Sequence, residues 1–156
     1  MKVHRKRWPR SLSITVEDAD FYRERSKKTG KLGGALMPAK NSLYRRTAIG
    51  GNMLSPRQRH FRLLIAQHLR GIGVSKWPYR LSVQQTVTRA RIIGGTRFPG
   101  TDGDACLSAI KDALESAGAL LNDGQIVHEE VRNHLGRECS LVIQLDAWPK
   151  WADANG

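Results

Sequence analysis

Alternating apolar and polar positions predict the β-strands of this chain. A period of two residues is typical of a strand that buries one face. This period occurs over residues 12–16, 81–87 and 141–145. We expect the second of these strands to continue to about residue 93, and a further strand to cover residues 125–133.

Two segments have apolar residues at the spacing of an amphipathic helix. The first begins clearly, because Ser55 is a favoured N-cap, Pro56 suits the first helical position and Gln58 is placed to complete a capping box. The second covers about residues 105–117, and Gly118 is the expected residue just beyond its end. The order strand, helix, strand, helix, strand, strand predicts a small α/β (α+β) domain, in which two main helices pack on a mixed β-sheet.

The remaining segments lack these periods and set the limits of the domain. Residues 1–10 form a basic tail, and residues 147–156 form a C-terminal tail, so the predicted domain covers residues 11–146. Within it, residues 17–37 are polar and rich in glycine, which predicts a mobile insertion. Residues 94–103 contain four glycines, which predicts a loop.

Composition excludes several classes of protein. A hydrophobic fraction of 40% is too high for a disordered chain, and two cysteines cannot build a disulfide scaffold. No apolar run approaches the ~20 residues that span a bilayer, and no signal-peptide core follows the basic start. We therefore expect a cytoplasmic protein with no membrane partner.

Charge divides the chain into two unequal parts. Residues 1–100 contain 22 Lys and Arg against 4 Asp and Glu, whereas residues 101–156 contain 4 against 10. The net charge of +12 favours a polyanionic partner, because each neutralised phosphate releases counterions. Carboxylates beside a polyanion are useful when they hold a metal ion that meets the phosphate. The acidic segment therefore favours an enzyme over a simple binding module.

Asp102 and Asp104 flank Gly103 directly before the second predicted helix. In an extended segment, residues two apart point the same way, so both carboxylates can face one cation. The alternative is structural, with Asp104 as an N-cap and Asp102 as a turn residue. The chain has no HExxH zinc motif, no phosphate-binding P-loop and no calcium loop at Asp102.

Residues 102–126 carry a more specific pattern. It consists of D-G-D, then D-A-L at residues 112–114 and A-G at residues 117–118, and finally N-D-G-Q-I at residues 122–126. Upstream, residues 38–44 have the spacing P-x-x-N-x-x-Y. This set resembles the RusA family of Holliday junction resolvases, which are small homodimeric DNA endonucleases. With the shared order of elements, the resemblance covers most of the predicted domain.

The resemblance implies a magnesium-dependent enzyme, with manganese as an alternative metal. Such an enzyme resolves four-way junctions by paired phosphodiester hydrolysis in DNA recombination and repair. The resemblance assigns metal binding and catalysis to Asp102, Asp104 and Asp123. The family has a lysine where this chain has Ser108, and Lys111, one turn further on, is the expected catalytic substitute.

The position of Asp123 leaves a question open. The second predicted helix is about 13 residues long and therefore spans ~20 Å, and Asp123 follows its far end. Asp123 must either return along the helix to the other two aspartates or join them from the partner subunit of a homodimer. Asn122 replaces a further family aspartate, which is a small change because Asp123 follows it.

Basic and polar residues beside these motifs are expected to hold branched DNA by its backbone. They are Lys40, Asn41, Tyr44, Arg45, Arg46 and Arg97. Three alternatives stay open at this point: a metal-dependent nuclease of another branched-DNA specificity, a non-catalytic basic nucleic-acid-binding protein, and a basic structural protein.

Overall fold

The computed structural model describes residues 11–38, 44–46, 52–72, 77–101 and 103–148, without the side chains of residues 44–46, 52–53 and 103–105. The strands in this part of the chain are β1 (Ser11–Glu17), β2 (Tyr44–Arg46), β3 (Asn52–Leu54), β4 (Tyr79–Val87), β5 (Ala90–Ile93), β6 (Thr96–Pro99), β7 (Ile126–Leu135) and β8 (Ser140–Ala147). The α-helices are α1 (Pro56–His68) and α2 (Gly103–Ser116).

A mixed sheet of four strands forms the centre of the domain. Its strand order is β1, β8, β4, β7, and every neighbouring pair is antiparallel except β4 and β7, which are parallel. Helix α2 lies in the crossover that such a parallel pair requires. The predicted α+β class, a small single domain with a mixed sheet and two helices, is confirmed. No helix in the described segments is long and apolar enough to cross a membrane.

One face of the sheet is buried and the other is polar. Alternate residues of β4, such as Leu81 and Val83, lie in the same hydrophobic cluster as Phe61 of α1 and Ile110 of α2. The side chains between them in β4, such as Gln84, point to the opposite face. The alternation predicted for the strands is therefore the alternation between core and surface.

Helix α1 begins where the sequence predicts, but Gln58 has a different role. Ser55 is the N-cap, and its Oγ accepts a hydrogen bond from the Gln58 N–H at 3.2 Å. The expected capping box is wrong. The Gln58 side chain is buried, and its Nε2 donates to the Ala109 carbonyl of α2 at 3.4 Å. Packing between the two helices thus decides the contact of this side chain.

Helix α2 starts at Gly103, slightly before the predicted position, and ends at Ser116, two residues before the predicted glycine. Gly118 has a φ of 75° and donates its N–H to the Glu115 carbonyl at 3.0 Å. The Ala119 N–H donates to the Leu114 carbonyl at 3.0 Å. These two bonds form a Schellman motif, which needs a left-handed residue at this place. The prediction for Gly118 is confirmed.

The loop expected over residues 94–103 is wrong in its first half. Strands β5 and β6 pair there as an antiparallel hairpin, after a break that follows β4. Gly94 and Gly95 form the turn with φ values of 57° and 80°, which suits a two-residue hairpin connection. Ile92 and Ile93 of β5 are both exposed, so this hairpin lacks the alternation by which buried strands are predicted.

Residues 17–37 contain local structure that their sequence does not predict. A 3-10 turn covers Asp18–Asp20, and two isolated β-bridges fold the following segment back on itself. Phe21 and Met37, near the two ends of the segment, are buried in the hydrophobic core. The mobility of this insertion stays a prediction.

Candidate active site

The loop before α2 lies at the carboxyl end of β4. The Nε2 atom of Gln85, near the end of this strand, donates to Thr101 Oγ1 at 3.4 Å. Asp102 lies outside the described residues. Asp104 lies in the first turn of α2, where the structure describes its backbone only. The residues that flank Asp102 therefore place the predicted metal-binding loop between the end of β4 and the start of α2.

Gly100, directly after β6, closes the base of the β5–β6 hairpin. Its N–H donates to the carbonyl of Arg89, just before β5, at 2.8 Å. A Cβ atom at Gly100 would lie 2.9 Å from the same carbonyl oxygen, which is closer than real Cβ atoms come. The absence of a side chain at this position thus allows the loop before α2 to start in close contact with the segment between β4 and β5.

The motif N-D-G-Q-I forms a 3-10 turn that Gln125 holds in place. The Gln125 Oε1 accepts hydrogen bonds from the backbone N–H groups of Leu121 at 2.7 Å and Asn122 at 3.2 Å. Its Nε2 donates to the Trp77 carbonyl at 3.0 Å, just before β4 begins. The glutamine of the motif therefore fixes the turn to the amino end of β4.

Asp123 is the first residue of this 3-10 turn, and its side chain is exposed. The turn leads directly into β7, whose first residue, Ile126, pairs with Tyr79 at the start of β4. Asp123 therefore stands at the amino end of the parallel pair.

Asp123 and the start of α2 occupy opposite ends of the domain. Helix α2 has 14 residues, and at 1.5 Å per residue it spans ~21 Å. The six steps along β4 from Tyr79 to Gln85 cover a similar ~20 Å. Within one chain, the structure therefore does not bring Asp123 beside the first turn of α2.

The described residues contain no group of three or more His, Cys, Asp or Glu side chains that is arranged to hold a metal ion. The assignments of Asp102, Asp104 and Asp123 stay predictions.

Lys111 points from α2 towards β7, where it meets a carboxylate that the sequence did not single out. Its Nζ lies 2.9 Å from Glu129 Oε2. Glu129 is in register with Leu81 of β4, nearer to the amino end of the parallel pair than to its carboxyl end. The predicted catalytic role of Lys111 is untested, but this ion pair fixes where its charge is placed.

A cavity of about 240 Å³ adjoins the loop before α2. We name it the Gln85 cleft. Its polar lining includes Arg57, Gln85, Arg89 and Thr101, and its apolar lining includes Met37. Sequence reasoning did not select any of these residues. The available signal was Gln85, because a glutamine at an inward position of β4 interrupts an otherwise apolar series.

Gln85 has an unsatisfied hydrogen-bonding group in this cleft. The residue is only 4% exposed. Its Nε2 faces Thr101 Oγ1 and lies 3.8 Å from the Met37 sulfur, whereas its Oε1 is buried and has no hydrogen-bond partner among the described residues. A buried acceptor in this state costs about 1–3 kcal/mol. A ligand that donates a hydrogen bond here would remove that cost.

Arg57 supplies positive charge to the same cleft from the first turn of α1. Burial lowers the pKa of its guanidinium, and the Glu24 carboxylate opposes this by raising the pKa. The side chain stays protonated at neutral pH, because a guanidinium is effectively always protonated in proteins. The Nε atom is buried, and no atom in the part of the chain that the structure describes forms a hydrogen bond with it. The cleft therefore holds an unsatisfied donor on a cation as well as an unsatisfied neutral acceptor.

The predicted DNA-binding residues fall in different parts of the chain. Lys40 and Asn41 lie outside the described residues. Tyr44, Arg45 and Arg46 form β2, for which the structure describes the backbone only. Arg97 lies on β6 and is exposed, close in sequence to the loop before α2.

Exposed apolar side chains surround the turn that contains Asp123. They are Trp77, Leu121, Val127 and Trp148, with exposed fractions of 36%, 60%, 51% and 38%. Trp148 also stacks against the His128 ring, at a centroid distance of 5.7 Å. We name these four side chains the Trp77 patch. Apolar groups in this number at one end of a domain are typical of an interaction surface.

No protein-family model matches this chain, and no curated protein matches it closely enough to count as a relative. The resemblance to the RusA family therefore rests on the motif residues themselves.

Proposed function

We propose that the protein is a magnesium-dependent, structure-specific DNA endonuclease that resolves four-way junctions, acting as a homodimer in the cytoplasm. The observation that carries the proposal is the placement of the loop before α2. Thr101 is held against the carboxyl end of β4, and α2 begins at Gly103, so Asp104 lies in the first turn of a helix. The free N–H groups and partial positive charge of a helix start favour anions there.

The charge of the surroundings supports a DNA substrate. Arg57 and Arg89 line the cleft beside this loop, and Arg97 is exposed on the adjoining hairpin. Phosphates of a DNA strand are the anions that such a cluster attracts most strongly. A four-way junction is recognised by its shape and by the positions of its phosphates, so contacts of this kind suit it.

Asp102, Asp104 and Asp123 would hold the metal, and their carboxylate oxygens fit magnesium, which prefers oxygen ligands. When bound, magnesium supplies charge stabilisation on the phosphate and lowers the pKa of a bound water. One of the aspartates would accept the proton of the attacking water. Lys111, held by Glu129, would supply a fixed positive charge on the β7 side of α2.

The homodimer follows from the separation of the aspartates. Because Asp123 lies at the opposite end of α2 from Asp104, a complete set would combine Asp102 and Asp104 of one subunit with the Asp123 turn of the other. The Trp77 patch around that turn would contribute exposed apolar side chains to such a dimer contact. Two-fold symmetry would then give two equal sites, one for each strand that is cut.

The first experiment is a four-way junction assay with and without magnesium. The wild type is expected to nick opposing strands only with the metal, and Asp102→Asn is expected to abolish the cutting. Asp112→Asn is the matched control, because this aspartate lies on α2 away from its first turn. Unchanged cutting by Asp102→Asn would contradict the metal assignment. Similar rates on three-way or linear DNA would indicate another nuclease specificity, and binding without cutting would indicate a non-catalytic protein.

The second experiment tests the shared site. Asp102→Asn and Asp123→Asn chains are each expected to be inactive alone. After mixing and subunit exchange, heterodimers contain one site with all its aspartates, so about one quarter of all sites recover. No recovery, in a sample that native mass spectrometry shows to contain heterodimers, would contradict a site built across subunits.

A further inference from the structure

The Gln85 cleft contains two buried polar atoms that make opposite demands on a ligand. The Nε–H of Arg57 needs an acceptor, and Gln85 Oε1 needs a donor. In the orientation that the structure describes, the Gln85 Nε2 donates to Thr101 Oγ1, which leaves Oε1 as the atom that lacks a partner. An occupant that satisfies both atoms must therefore carry an anionic or acceptor group together with an N–H or O–H group.

The size and the walls of the cleft restrict this occupant further. Its volume of about 240 Å³ lies below the ~300–1,000 Å³ of sites for drug-sized ligands. Met37 and Pro38 give part of the wall an apolar surface, and Arg57 and Arg89 give it positive charge. A single planar ring with a phosphate beside it matches this combination, because one part of it is apolar and the other is an anion.

The cleft also adjoins the proposed cutting site. Gly100 and Thr101 line it, and Thr101 directly precedes Asp102 in the chain. An occupant of the cleft therefore lies next to the loop that would carry the metal.

We propose that the Gln85 cleft receives one unstacked nucleotide of the DNA strand to be cut, with its phosphate on Arg57 and Arg89 and a base N–H donating to Gln85 Oε1. This inference rests on the proposed function, since it places the nucleotide beside the scissile phosphate. Removing a base from its stack costs less where the base is less firmly stacked, and the continuous stacking of a duplex is interrupted where the arms of a junction meet. The cleft thereby adds a preference for branched over continuous duplex DNA.

Direct binding tests the proposal without any cutting. The affinity for a fluorescent four-way junction is measured in EDTA for Arg57→Gln and for the matched control Arg59→Gln, which removes the same charge from an exposed position of α1. Loss of a charge-assisted contact predicts about tenfold weaker binding for Arg57→Gln, against less than about twofold for the control. Equal losses in the two variants would overturn the phosphate contact.

Gln85 is tested in the same assay with a neighbouring control. Gln85→Leu keeps the size of the buried side chain and removes its acceptor, while Gln84→Leu changes an exposed residue of the same strand. Binding by Gln85→Leu is expected to weaken about threefold to tenfold, and binding by Gln84→Leu to stay the same. Thermal melting of each variant identifies loss of folding. If Gln85→Leu folds poorly, the contact of Gln85 is tested instead by NMR of the wild type, as follows.

NMR of the wild type separates the ligand groups. The signals of the Arg57 Nε–H and the Gln85 side-chain amide are followed during titration with inorganic phosphate, with a deoxynucleoside and with a deoxynucleoside monophosphate. The monophosphate is expected to shift both signals and to bind more tightly than either of the other two. A response to phosphate alone, confined to Arg57, would overturn the base contact, and no response to the monophosphate would overturn the whole proposal.

Failure of this inference is distinguishable from failure of the proposed nuclease. If the cleft holds no nucleotide, Arg57→Gln and Arg59→Gln bind junctions equally while magnesium-dependent cutting persists. If the protein is not a nuclease, cutting is absent, and the junction and monophosphate measurements in EDTA report on the cleft independently.

Discussion

Replacing Gln125 by alanine tests the structural meaning of the N-D-G-Q-I motif. This one side chain accepts hydrogen bonds from two successive backbone N–H groups and donates to the Trp77 carbonyl. It therefore joins the turn after α2 to the segment before β4. Alanine leaves these backbone groups to water, because the turn is exposed, and it frees the segment that carries Asp123.

The expected loss follows from the number and exposure of these bonds. A hydrogen bond of this kind contributes about 0.5–1.5 kcal/mol net, and partial exposure favours the lower half of that range. The three bonds together then contribute about 2 kcal/mol. For a chain of this length, that loss lowers the melting temperature by roughly 4–8 °C.

Urea unfolding followed by circular dichroism measures this loss. Gln67→Ala is the matched control, because Gln67 is exposed on α1 and its replacement is expected to change stability by less than about 0.5 kcal/mol. Equal midpoints for the two variants would refute the reasoning, since Gln125 would then contribute no more than a surface glutamine. In the proposed enzyme, Gln125→Ala also reduces junction cutting at temperatures where the protein remains folded, because Asp123 loses its fixed position.

Three further predictions concern other parts of the described chain. Gly118→Ala is expected to lower the free energy of unfolding by about 1 kcal/mol in urea, because the φ of Gly118 is 75°. Gly34→Ala is the control and is expected to lower it much less, because Gly34 lies at an open position without a positive φ. Equal losses in the two variants would contradict the role of Gly118 in the Schellman motif. A double-mutant cycle with Lys111→Met and Glu129→Gln is expected to give a coupling free energy of unfolding below about 1 kcal/mol that decreases in high salt, because both side chains are partly exposed. A coupling free energy that does not change with salt would contradict this expectation. Hydrogen bonds from Ser82 and Arg80 lower the pKa of Glu130. The stability that Glu130 contributes is therefore present above its pKa in the unfolded state and is lost as the pH falls through its pKa in the folded state. Ser82→Ala is expected to raise the pKa of Glu130 in an NMR titration, and an unchanged pKa would show that the Ser82 hydroxyl is not the cause.

Most of the fold was predictable because its elements have a buried face. The strand over residues 12–16 and the end of α2 at Gly118 follow from alternation and from a backbone requirement that glycine meets. The β5–β6 hairpin was missed because it is exposed on both sides, so nothing in the order of Ile92 and Ile93 distinguishes it from a loop. Gln58 was misjudged because its partner, the Ala109 carbonyl, comes from another helix and is invisible in local sequence.

The sequence selects candidate residues for the site but not their arrangement, and the metal-binding role of these residues stays a prediction. The motifs selected Asp102, Asp104 and Asp123, and the length of the predicted helix already raised the problem of their separation. The strand register resolves where Asp123 stands, which sequence spacing alone cannot do. The Gln85 cleft was missed because Arg57, Gln85 and Thr101 are distant along the chain and meet only after the sheet and helices have packed.

The separation of Asp123 from the start of α2 has a consequence for control. If each cutting site needs halves from two molecules, an isolated copy is harmless to the genome, and activity rises more steeply than linearly with the amount of protein. Dilution would then switch off the enzyme without any inhibitor. A cell would carry the protein safely at low abundance and engage it only where copies gather, as on a branched DNA that recruits two of them.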